Sequence, residues 1–357
     1  MKFKSCKDGI LGLALADAMG VPVEFCDRDY LKTHPITKVV GYGTYNQPAG
    51  SFSDDTSLTL ALMDGVIKSG GIINEEAYKN IANNFGDYLY FGAFTPLNRM
   101  FDVGGTTSSA INNYLVNKCK PYEAGGNKEH NKGNGALMRI LPVAYYAYNN
   151  GLSEEETFDI TKKVASITHR LDTCVLGSYI YVEFARALLE GKSKEEAYKH
   201  IQHIDYLRFV PEDVRGEYIR VLDDNIADYP EYMIDSKGKT VESLEASMWS
   251  FMKSDNYSDT ILTAINLGKD TDTVGAIAGG IAGLYYGIDE DDGIPEKWLS
   301  MLIKRDYIED LSKAYDEAVL TKTVPVSYEV LKRKGNPRES SETAQDILKR
   351  FEEYWSR

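Results

Sequence analysis

Cysteine and histidine are scarce in this chain. Four cysteines (Cys6, Cys26, Cys119 and Cys174) are scattered through 357 residues with no Cys-x-x-Cys spacing, and only five histidines are present to join them. That excludes a zinc site of the usual pattern and a disulfide-stapled secreted scaffold, and leaves reduced thiols in a cytoplasmic protein as the expectation. No apolar run approaches the ~20 residues that span a bilayer, so no membrane partner is expected. Positive charge is also in deficit: 40 Lys and Arg against 54 Asp and Glu give a net charge of -14. With no Lys/Arg stripe to reverse that field locally, general nucleic-acid binding is excluded. Lys2, Lys4 and Lys7 ahead of "GILGLALADA" outwardly match a secretory leader, but the apolar part is short and ends at Asp17.

Strand signals are nearly missing as well. "TKVVGYGTY" is the best alternating candidate, and it is weak. What is present instead is helical periodicity: "TSLTLALMDGVIKSG", "SEEETFDITKKVASITHR", "LGSYIYVEFARALLEGKSKEEAYKHI" and "VESLEASMWSFMKSD" carry apolar residues at spacings of three and four. Ser153 with Glu156 and Ser193 with Glu196 form capping boxes, the second after Gly191 has ended the preceding helix. An all-α fold follows, a single-domain bundle over residues 1–330 with an acidic, tyrosine-containing surface excursion at about 211–240. A Gly-Asn-Pro break then leads into a C-terminal helical extension, 331–357, expected to dock on the main body. A monomer is expected.

Chemistry concentrates in two acidic stretches. "GSFSDDTSLTLALMDGV" gathers Ser53, Asp54, Asp55 and Thr56 before an apolar helix; "NLGKDTDTVGAIAGGIAGLYYG" does the same with Asp270, Asp272 and Thr273. Capping accounts for one such residue at a helix start, not for four. The second helix carries no charge behind its acidic mouth, so it is read as buried, with Gly275, Gly279, Gly280 and Gly283 serving close helix contact. Several carboxylates at a sequestered site repel one another unless cations neutralise them, and a hard oxygen set suits Mg2+ or Mn2+. In "GLALADAMGVPVEF", Asp17 and Glu24 flank a glycine turn, and Glu24 is a candidate for the same cleft. "GNGALMRILPVA" offers a glycine-rich turn with backbone N–H groups for a phosphate. His169 reads as interrupting a core-like helix, where a lone histidine is more often a satisfied core residue than a functional one.

Taken in order, "GLALADAMGVPVE", "SDDT", "GNGALMR", "THRLDT" and "VESLEASMWSF…AINLGKDTDTVGAIAGGIAGLYYG" resemble the ADP-ribosylglycohydrolase family over residues 9 to about 300. The resemblance implies an orthogonal all-α bundle with a central metal-lined cleft that holds two divalent cations, Mg2+ or Mn2+. It implies Ser53, Asp54, Asp55, Asp270, Asp272 and Thr273 as metal ligands, and Gly105, Asn134, Gly135 and His169 as contacts to ADP-ribose. Asp55 or Glu24 would assist proton transfer, with Glu24 also a gate beside the metals. The implied reaction is hydrolysis at the anomeric carbon of ADP-ribose carried by a protein side chain or a small molecule. The alternative is a non-catalytic member that binds ADP-ribose or another nucleotide; loss of metal ligands would mark it, and here every oxygen ligand is present. Three positions stand apart: Ser53 replaces the usual threonine, Lys269 replaces a small residue, and Glu129 lies near the acid that meets a guanidinium in the arginine-specific branch.

Overall fold

The computed structural model describes residues 2–288, 291–335, 343 and 346. Among them the regular elements are helices, with no strand. The first group is α1 (Lys7–Gly20), α2 (Arg28–Thr33), α3 (Asp54–Lys68), α4 (Glu75–Phe91) and α5 (Gly105–Asn117). Next come α6 (Leu141–Asn150), α7 (Glu154–Ser166), α8 (Asp172–Leu189), α9 (Lys194–Gln202), α10 (Glu212–Gly216) and α11 (Ile219–Leu222). The chain continues with α12 (Thr240–Lys253), α13 (Tyr257–Ile265), α14 (Thr271–Tyr286), α15 (Glu296–Leu299), α16 (Arg305–Thr321) and α17 (Tyr328–Gly335). The expected all-α class is thereby met. "TKVVGYGTY" forms no strand: Tyr42 makes a single bridge to Gln47, and Gly43–Tyr45 is a 3-10 turn. Both capping boxes form, at Ser153 with Glu156 and at Ser193 with Glu196.

The centre of the molecule is the pair α1 and α14, which are buried on nearly all sides because neither carries a polar face. They run antiparallel at a separation that only glycine permits. A Cβ on Gly12 would lie 2.4 Å from the Gly279 carbonyl oxygen, and one on Gly279 would meet the Gly12 oxygen and the Ala16 Cβ at 2.5 Å each. Two of their carbonyls are claimed by buried tyrosines, Tyr257 donating to Gly12 O (2.7 Å) and Tyr181 to Ile277 O (2.9 Å). At the other end of the contact the Thr271 hydroxyl donates to Gly20 O at 2.8 Å, so the start of α14 is tied to the end of α1. "GILGLALADA" is therefore the core stretch of α1.

The segment at 211–240 is held to the body by its apolar residues. Tyr218, Val221, Leu222, Ile226 and Ile234 are buried, and Tyr218 donates to Thr173 O at 2.6 Å. Its return leg then reaches the centre of the molecule, where Ser236 O accepts from Asp270 N (3.0 Å) and Gly238 O from Asn134 N (3.2 Å). The helix expected after the Gly-Asn-Pro break lies outside the described residues. No described helix is long and apolar enough to cross a membrane. The four cysteines are free.

Since the α1–α14 contact has no room for a methyl group, Gly279→Ala should destabilise the protein by about 1–3 kcal/mol. Gly216→Ala, where an added Cβ meets nothing within 4 Å, should leave the melting midpoint unchanged or slightly higher. Equal midpoints for the two variants would contradict this account of the helix contact.

Candidate active site

The antiparallel pair delivers three acidic segments to one place. Asp17, on the last turns of α1, is fully buried, and its carboxylate accepts from Ser53 N (2.9 Å), Thr56 N (3.0 Å) and the Thr56 hydroxyl (2.6 Å). The start of α3 is thus held from another helix, and Asp54 and Asp55 are released from that task. Asp55 is fixed by hydroxyls: its Oδ2 accepts from Ser53 (2.9 Å) and Thr273 (3.3 Å). On the α14 side Asp272 Oδ1 accepts from Thr273 N (2.9 Å), and Asp270 Oδ2 accepts from the Asn134 amide (2.7 Å). Carboxylate oxygens of Asp17, Asp55 and Asp272 lie within 4.8 Å of one another, as do those of Glu24, Asp102 and Asp272. Asp272 is common to both groups.

Like charges this close, away from water, resist ionisation. Burial pushes Asp17 up to about 7, against hydrogen bonds from Thr56 and Ser53 that work to lower it. Burial likewise raises Glu24 to about 8; the Tyr45 hydroxyl opposes this, and the charges of Asp102 and Asp270 add to it. Asp54, Asp55 and Asp272 are held well above the carboxylate range, first by burial and then by neighbouring carboxylates. Three oxygens in this floor, Asp55 Oδ1, Asp272 Oδ2 and Glu24 Oε2, are buried without any hydrogen-bond partner. Unpartnered buried carboxylate oxygens beside the hydroxyls of Ser53 and Thr273 form the donor set that a hard divalent cation takes.

Above the floor lies a cavity of about 350 Å3. Glu24, Asp54, Asp102, Asp270 and Thr273 face it from below, and Gly104–Thr107, Gly133–Gly135, His169 and Gly238 form its walls. Phe25 stands at its edge, 67% exposed and in the left-handed region (φ 66°). The glycine turn must lack a side chain, since a Cβ on Gly135 would meet His169 Cε1 and Thr107 Oγ1 at 2.8 Å each. Asn134 spans the wall and the floor, its amide also donating to Ser243 Oγ (2.8 Å). Burial, and then the Arg139 charge, lower the His169 imidazole to about 3, so it is neutral at physiological pH.

Of the residues expected from sequence, Glu24, Asp54, Gly105, Asn134, Gly135, His169, Asp270 and Thr273 line the cavity, while Ser53, Asp55 and Asp272 are buried beside it. Two expectations need correction, and the place of Lys269 is now defined. His169 does not interrupt a helix; it sits in the link between α7 and α8. Glu129 is turned to solvent, pairs with Lys132 at 2.6 Å and does not line the cavity. Lys269 neither faces the carboxylates nor enters the cavity: it adopts φ 66°, where a side chain is disfavoured and glycine is at ease, and its ammonium pairs with Asp27. Sequence reasoning missed Asp102, Tyr45 and the clamping role of Asp17. The available signal was Asp102 two residues ahead of the Gly104–Gly105 start of α5, the same oxygen-rich helix mouth as in the other two segments.

Comparison with known proteins places the chain in a family. The profile of the family described as ADP-ribosylglycohydrolase matches residues 2–324. The chain is 30% identical over 311 residues to the ADP-ribosylarginine hydrolase Tri1 of Serratia proteamaculans, covering 86% of this chain and 77% of that protein. It is 28% identical over 301 residues to the ADP-ribosyl-(dinitrogen reductase) glycohydrolase of Rhodospirillum rubrum, covering 82% and 88%. A solved structure titled ADP-ribosylglycohydrolase-related protein complex superposes with a TM-score of 0.68 at 25% identity, covering 88% of this chain and 97% of that one.

The crowded floor has a consequence for stability. Its acids hold protons to higher pH when folded than when unfolded, so between about pH 4 and pH 8 the folded state binds more protons, and stability without added cation falls as pH rises. Asp55→Asn removes one of the competing charges. In chelator-treated protein it should melt higher than the parent at about pH 8 and lose less stability from about pH 5 to pH 8 by calorimetry. A lower midpoint for the variant at the upper pH would refute this electrostatic account.

Proposed function

The chain belongs to the ADP-ribosylglycohydrolase family, and on that footing we propose that it is a metal-dependent hydrolase that removes ADP-ribose from a modified side chain or small molecule. The observation that carries the metal dependence is the pair of unpartnered buried carboxylate oxygens on Asp55 and Asp272, beside the hydroxyls of Ser53 and Thr273. Two divalent cations, Mg2+ or Mn2+, would be held by Ser53, Asp54, Asp55, Asp270, Asp272 and Thr273. When bound they supply charge neutralisation and Lewis-acid activation of water.

The chain's own groups do the rest. Asn134, the backbone of Gly105 and Gly135, and the neutral His169 ring orient the ADP-ribose along the glycine wall. The hydroxyls of Ser53 and Thr273 hold Asp55 in place, and once cations offset its burial its carboxylate would take a proton from water as the new C–O bond forms. Glu24 faces the cavity, and burial favours its protonated form, the tendency of a group that donates to the leaving atom as the glycosidic bond breaks. Two separated carboxyl roles and an oxocarbenium-like transition state are the general pattern of glycoside hydrolysis. A guanidinium leaving group, as in arginine, fits a cavity lined by carboxyl groups, Asp102 among them, and relatives at 30% and 31% identity are named ADP-ribosylarginine hydrolase. The non-catalytic alternative is not favoured, since no carboxylate of the floor is missing.

Replacing Asp54 and Asp55 together with alanine should abolish release of ADP-ribose from ADP-ribosylarginine while far-UV circular dichroism is retained, and Glu24→Gln should lower kcat by roughly 10²–10⁴-fold. Turnover of the double variant at the parental rate would sink the proposal.

A further inference from the structure

Arg139 is fully buried and takes part in no ion pair among the described residues. Its guanidinium lies against the Phe85 ring, 4.8 Å from the centroid, while one terminal nitrogen donates to Gly135 O and the other to Thr168 Oγ1 (2.8 Å). Burying a guanidinium is costly: desolvation lowers Arg139 to about 9, with the charge of Asp54 opposing it. What it touches suggests a reason. Gly135 belongs to the cavity wall, and the buried Thr168 hydroxyl lies 2.9 Å from His169 Nδ1.

A guanidinium can only donate, so Thr168 Oγ1 is an acceptor in that bond. Its single proton then needs an acceptor, and the described structure offers the hydroxyl only His169 Nδ1. If Nδ1 carried a proton instead, the buried Thr168 O–H would be left unpaired, which is expensive. The chain of bonds therefore has one satisfied arrangement: Arg139 donates to Thr168, and Thr168 donates to Nδ1. The imidazole carries its proton on Nε2. That nitrogen lies at the glycine turn, 3.2 Å and 3.4 Å from where a Cβ of Gly133 or Gly135 would stand.

We propose that Arg139 is a positioning residue which, acting through Thr168, fixes His169 as the neutral Nε2–H tautomer and so presents one hydrogen-bond donor to an acceptor oxygen of the bound ADP-ribose. The ligand named here rests on the function proposed above. The tautomer does not, because it is a property of the free protein, so failure of one is distinguishable from failure of the other.

Long-range 1H–15N correlation on protein carrying 15N-labelled histidine tests it, with the His169 signals identified by their loss in His169→Gln. In the parent, Nδ1 should resonate as an unprotonated nitrogen and Nε2 as a protonated one. Thr168→Ser should keep this pattern and the affinity for ADP-ribose measured by calorimetry. Thr168→Val should give mixed tautomers and roughly three- to tenfold weaker binding. Arg139→Met, if it folds, should also mix the tautomers while leaving the Thr168 hydroxyl in place. A parental Nδ1–H ring, or a Thr168→Val protein whose tautomer is unchanged, overturns the proposal. Mixed tautomers with unchanged affinity overturn its ligand half.

Discussion

One contact organises the molecule: the antiparallel approach of α1 and α14, close enough that the Gly12 and Gly279 positions have no space for a side chain. Because the two helices are in register at that point, the end of α1 must meet the start of α14, and Thr271 bonds the two together there. Everything acidic in the floor follows from this. Asp17 reaches across from α1 to hold the first turn of α3, and Glu24 emerges from the turn after α1 into the same cavity. Helix starts otherwise far apart in sequence are thereby brought within bonding distance.

The same geometry sets stability against function. Carboxyl groups stacked beyond the reach of water are driven toward their neutral forms, and three of their oxygens are left unpaired. A purely structural floor would have been better served by asparagine or by apolar residues. Keeping ionisable oxygens here makes sense if a cation compensates them, with folding of α1 against α14 supplying the energy that holds the site together beforehand.

Legibility in the sequence divided along the line between local and non-local physics. The capping boxes at Ser153 and Ser193 and the apolar helix behind Asp272 depend on neighbours a few residues away, and they are found as expected. The excess of oxygen in "SDDT" and "KDTDT" was visible because capping needs fewer groups. Asp102 offers only the weaker signal of one acid ahead of a glycine helix start, and its neighbours Tyr45 and Glu24 come from distant parts of the chain. Apolar periodicity ran through His169 and hid the break between α7 and α8. Lys269 stands out in the sequence only as a replacement for a small residue; its left-handed backbone and its pairing with Asp27 are visible only in the fold. The C-terminal portion of 211–240 read as a surface feature by its charge, yet Ser236 and Gly238 bond directly to the backbone of Asp270 and Asn134, a closure that composition does not encode.

The central claim is that the carboxylate floor exists to hold divalent cations. Titrating chelator-treated protein with Mn2+ and following free ion by electron paramagnetic resonance tests it directly. The account predicts saturable binding at two sites per chain, displaced by Mg2+ and accompanied by proton uptake by the buffer. Absence of saturable binding, with ADP-ribose still released in excess chelator, would contradict it.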